Sequence, residues 1–211
     1  MVKVKICGIT NLKDARHAVE AGADFLGFNF YPRSPRYITP AAAGHIVRRL
    51  PKGAVFVGVF VNESVDNVLA IAQRVGLKYL QLHGEESPAT VSRLRRALPV
   101  IKAIRVRASF RASQLRRFRP ARAFLLDGFH PSRRGGTGKS FNWAVARRAN
   151  RAGHIFLAGG LTPENIGEAI RVARPYAVDV CSGVEEKPGK KDPALIASFM
   201  QAVRVARRKK R

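Results

Sequence analysis

His154-Ile155-Phe156-Leu157-Ala158-Gly159-Gly160-Leu161-Thr162-Pro163-Glu164-Asn165 holds an apolar run, a glycine turn and a helix start within twelve residues. The run 154–157 is too short for a helix and reads as a strand covered on both faces. Gly159 and Gly160 supply the tight turn. Thr162 before Pro163 is a capping side chain ahead of a proline at the first helical position, and an amphipathic stretch then runs to Ala173. The same unit recurs in both directions. Apolar runs rich in Val, Ile and Phe occur at 2–6, 25–30, 54–61, 79–82, 100–104, 123–126, 154–157 and 177–180. Helix-like stretches separate them at 11–21, 40–50, 64–75, 88–98, 109–118, 143–151, 163–173 and 193–207. Thr39-Pro40 and Asp192-Pro193 repeat the helix-start signal, and Ser64 and Ser87 are further caps. Eight units in 211 residues have a period of about 26, near the lower size limit of a closed barrel. A doubly wound sheet has five or six strands, so the expected fold is α/β, a (β/α)₈ TIM barrel in one domain over residues 1–211 with a short basic tail at 207–211.

The composition sets the class. It is 46% hydrophobic and 25% charged, as in ordered globular chains, although 39 Lys+Arg against 14 Asp+Glu leave a net charge of +25. No run of roughly 18 apolar residues predicts a membrane helix. Lys3 and Lys5 interrupt the start too early for a signal peptide, so a cytoplasmic protein is expected. The two cysteines form no CxxC, and the five histidines show no metal-ligand spacing, so no metal is expected. The charge raises the question of nucleic acid. Its clusters, Arg93/Arg95/Arg96, Arg116/Arg117/Arg119 and Arg147/Arg148/Arg151, fall on the expected outer helices and read as a solvated face ringing the molecule without one groove. No aromatic residues interleave with them, so nucleic acid is not the expected primary partner.

Barrels work at the C-terminal ends of their strands. Gly159 and Gly160 after the seventh run, and Ser182 and Gly183 after the eighth, resemble the two halves of a phosphate cradle, in which backbone N–H groups and a helix N-terminus meet the anion. The same glycines also suit plain tight turns. Gly135-Gly136-Thr137-Gly138-Lys139-Ser140 fails the P-loop pattern, which needs glycine where Arg133 stands, and reads instead as a flexible loop over a substrate. Cys7 ends the first run, where a thiolate could be stabilised as base or nucleophile; a buried packing cysteine is the alternative. Asp127 leaves an apolar strand, a setting that can raise a carboxyl pKa and make a general acid; a turn-capping aspartate is the alternative. Asp179 is a second inward carboxylate, structural or sugar-binding. Arg36, in a proline-stiffened loop, suits a substrate carboxylate, and His83 either contacts ligand or caps the barrel.

Taken in order, these segments resemble the phosphoribosylanthranilate isomerase family of tryptophan biosynthesis. The resemblance rests on Val4–Thr10, on 27–38 (GFNFYPRSPRYI), on 57–62 (VGVFVN), on Gln81-Leu82-His83-Gly84 and on Leu126-Asp127 with 135–138 and Phe141-Asn142-Trp143. It continues through 158–165 and 178–185 to 188–192, and so spans nearly the whole chain. It implies an Amadori rearrangement of N-(5-phosphoribosyl)anthranilate without cofactor or metal. Asp127 would be the general acid that opens the furanose ring, and Cys7 the base that removes the C2′ proton. Arg36 would face the anthranilate carboxylate, with the glycine loops holding the phosphate. The implied partner is a small anionic phosphosugar, and the chain would be a monomer or homodimer. Asn142, Gly128 and Cys181 depart from the family's usual residues, and Cys181 leaves open whether the two cysteines could pair under oxidation. The histidine-pathway isomerases do the same chemistry with an aspartate where this chain has Cys7.

Overall fold

The structure, a computed structural model, describes residues 1–51, 53–128 and 142–208. The expected substrate-covering loop at 135–138 and the end of the basic tail lie outside these residues. Eight parallel strands close into a barrel in sequence order: β1 Lys3–Cys7, β2 Phe25–Asn29, β3 Val55–Phe60, β4 Tyr79–Leu82, β5 Val100–Val106, β6 Ala123–Gly128, β7 His154–Leu157 and β8 Ala177–Val180. β8 pairs back onto β1 with Lys5 opposite Asp179 and Ile6 opposite Val180. The connecting helices are α1 Leu12–Glu20, α2 Pro40–Val47, α3 Val65–Val75, α4 Pro88–Leu94, α5 Trp143–Ala149, α6 Ile166–Ala173 and α7 Pro193–Arg208. A hairpin of β9 Glu185–Lys187 and β10 Lys190–Lys191 follows β8.

Side-chain alternation along each strand divides the core in two. Phe25, Val57, Ile101, Ala103, Ala123, Leu125, Phe156 and Ala177 fill the barrel. The intervening residues, among them Ile6, Phe28, Phe60, Leu80, Leu126 and Val178, pack outward beneath the helices. Both faces are therefore buried, which is why the strands read as continuous apolar runs. The caps at Thr39, Ser64 and Ser87 accept from the N–H of Ala42, Asn67 and Thr90, and Asp192 accepts from Ala194 and Leu195.

Two expectations change. The stretch 109–118 is not an α-helix but a 3₁₀ helix over Ala112–Phe118, in which Leu115 and Phe118 are buried. Their spacing of three suits a helix with three residues per turn, and Pro120 ends it. The segment is short because β5 continues to Val106 instead of stopping at Ile104. The second change is at Thr162-Pro163, which does not open α6; the helix begins at Ile166. The Thr162 N–H donates to Asn165 Oδ1 at 2.9 Å, and Asn165 Nδ2 donates to the Gly160 carbonyl at 2.7 Å. The asparagine folds residues 162–165 into a turn of their own. No helix among the described residues is long and apolar enough to cross a membrane.

Candidate active site

At the C-terminal end of the barrel a cavity of about 630 Å³ is walled by Cys7, Asn29, Arg36, Gln81, His83, Asp127, Gly159, Gly160, Asp179, Cys181 and Ser182, among others. Two larger cavities, between α6 and α7 and beside α5, contain none of these strand-end groups.

β1 points Lys5 and Cys7 into the barrel. Lys5 is fully buried, and its Nζ donates to Asp179 Oδ1 at 2.8 Å. Cys7 lies beside Cys181 where β1 and β8 end; both thiols are free. A hydrogen bond from Cys181 is the main influence lowering the Cys7 pKa well below the usual thiol range; burial opposes it, and the Lys5 ammonium adds to it. Donating that bond, and burial, push Cys181 up. One lysine thus faces two acids. Burial opposes the Lys5 charge, yet Asp179 and Cys7 together hold it protonated, while burial and the Cys7 charge push the Asp179 carboxyl up to about 7 against the pull of Lys5.

β6 carries Asp127 as a strand residue, in register with Arg105 on β5. Gln81 Nε2 donates to His83 Nδ1 at 2.9 Å, which places the imidazole proton on Nε2, 3.4 Å from Asp127 Oδ2. Gly159 makes room for this carboxylate. Its φ is +89°, and a Cβ there would fall 2.9 Å from Asp127 Oδ1 and 2.5 Å from the Gly128 nitrogen. Gly183 has a packing role as well: a Cβ would overlap the Leu161 carbonyl oxygen, so the loops after β7 and β8 meet backbone to backbone. Gly160 and Ser182 line the cavity, whereas Gly183 sits behind that wall. Ser182 opens a short 3₁₀ turn, Ser182–Val184.

Arg36 reaches the cavity held by Glu185. Its Nε donates to Oε1 at 2.9 Å and Oε2 at 3.0 Å, and its Nη2 to Oε2 at 2.6 Å. β10 returns Lys191, whose Nζ reaches Glu185 Oε1 at 2.8 Å and the Cys181 carbonyl at 3.1 Å. Burial alone would raise Glu185, yet Arg36 and Lys191 outweigh it and hold its carboxyl below the usual range. The Nη1 end of Arg36 makes no hydrogen bond among the described residues.

The family model for N-(5'-phosphoribosyl)anthranilate isomerase matches residues 4–202. An enzyme of that name from Citrifermentans bemidjiense is 52% identical over 196 residues, 93% of this chain and 94% of its own. The chain belongs to this family. The Thermotoga maritima phosphoribosyl anthranilate isomerase is 44% identical and superposes with a TM-score of 0.91 over 97% of this chain and 100% of that one. A further isomerase structure, in complex with reduced 1-(o-carboxyphenylamino)-1-deoxyribulose 5-phosphate, gives a TM-score of 0.88 at 42% identity, covering 97% and 100% of the two chains.

In this isomerase, Cys7, Arg36, His83, Asp127, Asp179, Gly159, Gly160 and Ser182 all line one cavity. Sequence reasoning missed the residues that hold them. Gln81 and Lys5 are legible only as inward strand positions by alternation. Glu185 and Lys191 come from a hairpin that no periodicity announces. The buried Glu86, which accepts from Asn62 N–H at 2.9 Å and Gly84 N–H at 3.0 Å, is paired with Lys102 at 2.9 Å and anchors the loop bearing His83. Arg105, beside Asp127, has a buried Nη2 without a partner among the described residues.

Proposed function

We propose that the chain rearranges N-(5-phosphoribosyl)anthranilate to 1-(2-carboxyphenylamino)-1-deoxyribulose 5-phosphate, with Asp127 as acid and Cys7 as base. The observation that carries this reading is the approach of the two groups to one cavity from β6 and β1, three strands apart around the barrel. Asp127 gives its proton to the furanose ring oxygen as the C1′–O bond breaks, and the anilino nitrogen supplies the electron pair that forms the Schiff base. The Cys7 thiolate then takes the C2′ proton, and the enolamine tautomerises to the ketone. His83 orients the Asp127 carboxyl, and Asp179 holds Lys5 beside the thiolate while presenting an acceptor to a sugar hydroxyl. Gly160 and Ser182 offer backbone N–H groups to the phosphate, with Gly159 and Gly183 allowing their loops to approach.

Supplying the purified chain with phosphoribosylanthranilate and, separately, with the histidine-pathway precursor tests the assignment. Turnover of the first is expected; turnover of the second alone overturns it. Arg36, fixed by Glu185 along one edge, offers its Nη1 end to the anthranilate carboxylate. Arg36→Ala should raise KM by roughly ten- to hundredfold, the worth of a hydrogen bond between charged groups, and lower kcat less. Lys191 still neutralises Glu185 in that variant, so an unchanged KM removes the carboxylate contact.

A further inference from the structure

The positive charge of this chain is not spread evenly. Residues 87–163 contain seventeen of the 39 Lys+Arg but one of the 14 Asp+Glu, and that one is Asp127, 5% exposed in the barrel mouth. The fold draws part of this stretch into one feature. The 3₁₀ helix Ala112–Phe118 packs beside α5 and the 3₁₀ turn Asn150–Ala152 that follows it. Between them lies a groove of about 810 Å³ walled by Arg116, Arg119, Arg147, Arg148 and Arg151. All five side chains are exposed, and none has an ion-pair partner among the described residues. The exposed ion pairs among the described residues, Arg171–Glu168 and Lys190–Glu186, lie outside this stretch. Of the three basic clusters expected to ring the molecule without one groove, two contribute to this groove, whereas Arg93, Arg95 and Arg96 do not line it.

We propose that this groove binds the phosphodiester backbone of a polynucleotide, independently of base sequence. Five like charges around one concavity repel each other, a cost that a chain of anionic groups at regular intervals removes. Guanidinium forks match phosphate oxygens bidentately, which favours phosphate over a scattered acidic surface. The walls offer no exposed aromatic on which a base could stack: Phe124, the aromatic among the described lining residues, is 2% exposed. A membrane surface fits less well. The exposed large hydrophobics of the described residues, Met1, Tyr37 and Val205, do not line the groove, and a concave wall does not follow a flat headgroup layer. The groove shares no lining residue with the cavity at the strand ends, so its occupant is distinct from the isomerase substrate.

Fluorescence anisotropy with labelled mixed-sequence 20-mers of single-stranded RNA and DNA, between about 50 and 200 mM salt, tests this. Binding is expected with a Kd of roughly 1–100 µM, and log K should fall against log salt with a slope of about −3.5 for five contacts. The triple variant Arg147→Gln/Arg148→Gln/Arg151→Gln should flatten that slope by about 2 and keep full isomerase activity, which also reports that it is folded. A control with the same loss of charge at exposed positions outside the groove, Lys13→Gln/Arg16→Gln/Lys78→Gln, should change the slope little. Equal effects of the two triple variants would reduce the interaction to net charge and overturn the groove. So would absence of binding at 50 mM salt, or binding only to vesicles of anionic lipid.

Discussion

Cys7→Ser should lower turnover by about 10²–10⁴-fold while the barrel stays folded, because it removes a proton acceptor and little volume. The surroundings of Cys7 are built to hold an anion. Cys181 donates to it from the neighbouring strand end, and Lys5, buried and paired with Asp179, adds a cation; together they outweigh the burial that disfavours charge. A serine hydroxyl in the same place keeps hydrogen-bond partners and the fold but is far too weak an acid to stand ready as the alkoxide. Pre-steady-state and steady-state rates on phosphoribosylanthranilate measure the loss, and circular dichroism checks the fold. A variant within tenfold of the parent would remove Cys7 as the base. The pH profile adds a readout that a packing role would not move. The proposed base would work deprotonated, so a lowered Cys7 pKa should keep kcat/KM high toward acid. Cys181→Ala takes away the donor, raises the Cys7 pKa, and should shift the acidic limb of the profile to higher pH.

The barrel was legible because each strand is an apolar run followed by a punctuated helix. β4, β7 and β8 fall on the residues that the apolar runs mark. The strands that run longer than expected, β5 and β6, continue through Arg105 and Asp127, charged residues that apolarity cannot assign to a strand. They belong to the ladder because the barrel supplies each with a partner opposite the other. The cavity groups were legible one by one, as unusual residue types at strand ends. Their partners were not, since Lys5–Asp179 and Arg36–Glu185 are contacts between residues 174 and 149 positions apart. The glycines show the same limit. Gly159 reads as a phosphate turn, yet its missing side chain is also needed by the Asp127 carboxylate beside it.

Asp127→Asn should match Cys7→Ser in the size of its loss, about 10²–10⁴-fold in kcat, but for the opposite proton transfer. The amide preserves shape at a crowded position, with Gly159 on one side and His83 Nε2 3.4 Å from Oδ2 on the other. It cannot release a proton to the ring oxygen. Because that proton is needed as the ring bond breaks, the loss belongs in kcat and kcat/KM together, with KM little changed. The open-chain analogue, reduced 1-(o-carboxyphenylamino)-1-deoxyribulose 5-phosphate, separates acid from binding group. It has no furanose ring to open, so Asp127→Asn should bind it with the parent's affinity in a calorimetric titration. Equal losses of analogue affinity and turnover would make Asp127 a substrate handle. Turnover within tenfold of the parent would deny it the acid's role. His83→Gln should fall between the parent and Asp127→Asn, since it frees the carboxyl to turn without removing its proton. The order parent, His83→Gln, Asp127→Asn in kcat is the pattern expected of an acid held in place by the neighbouring imidazole.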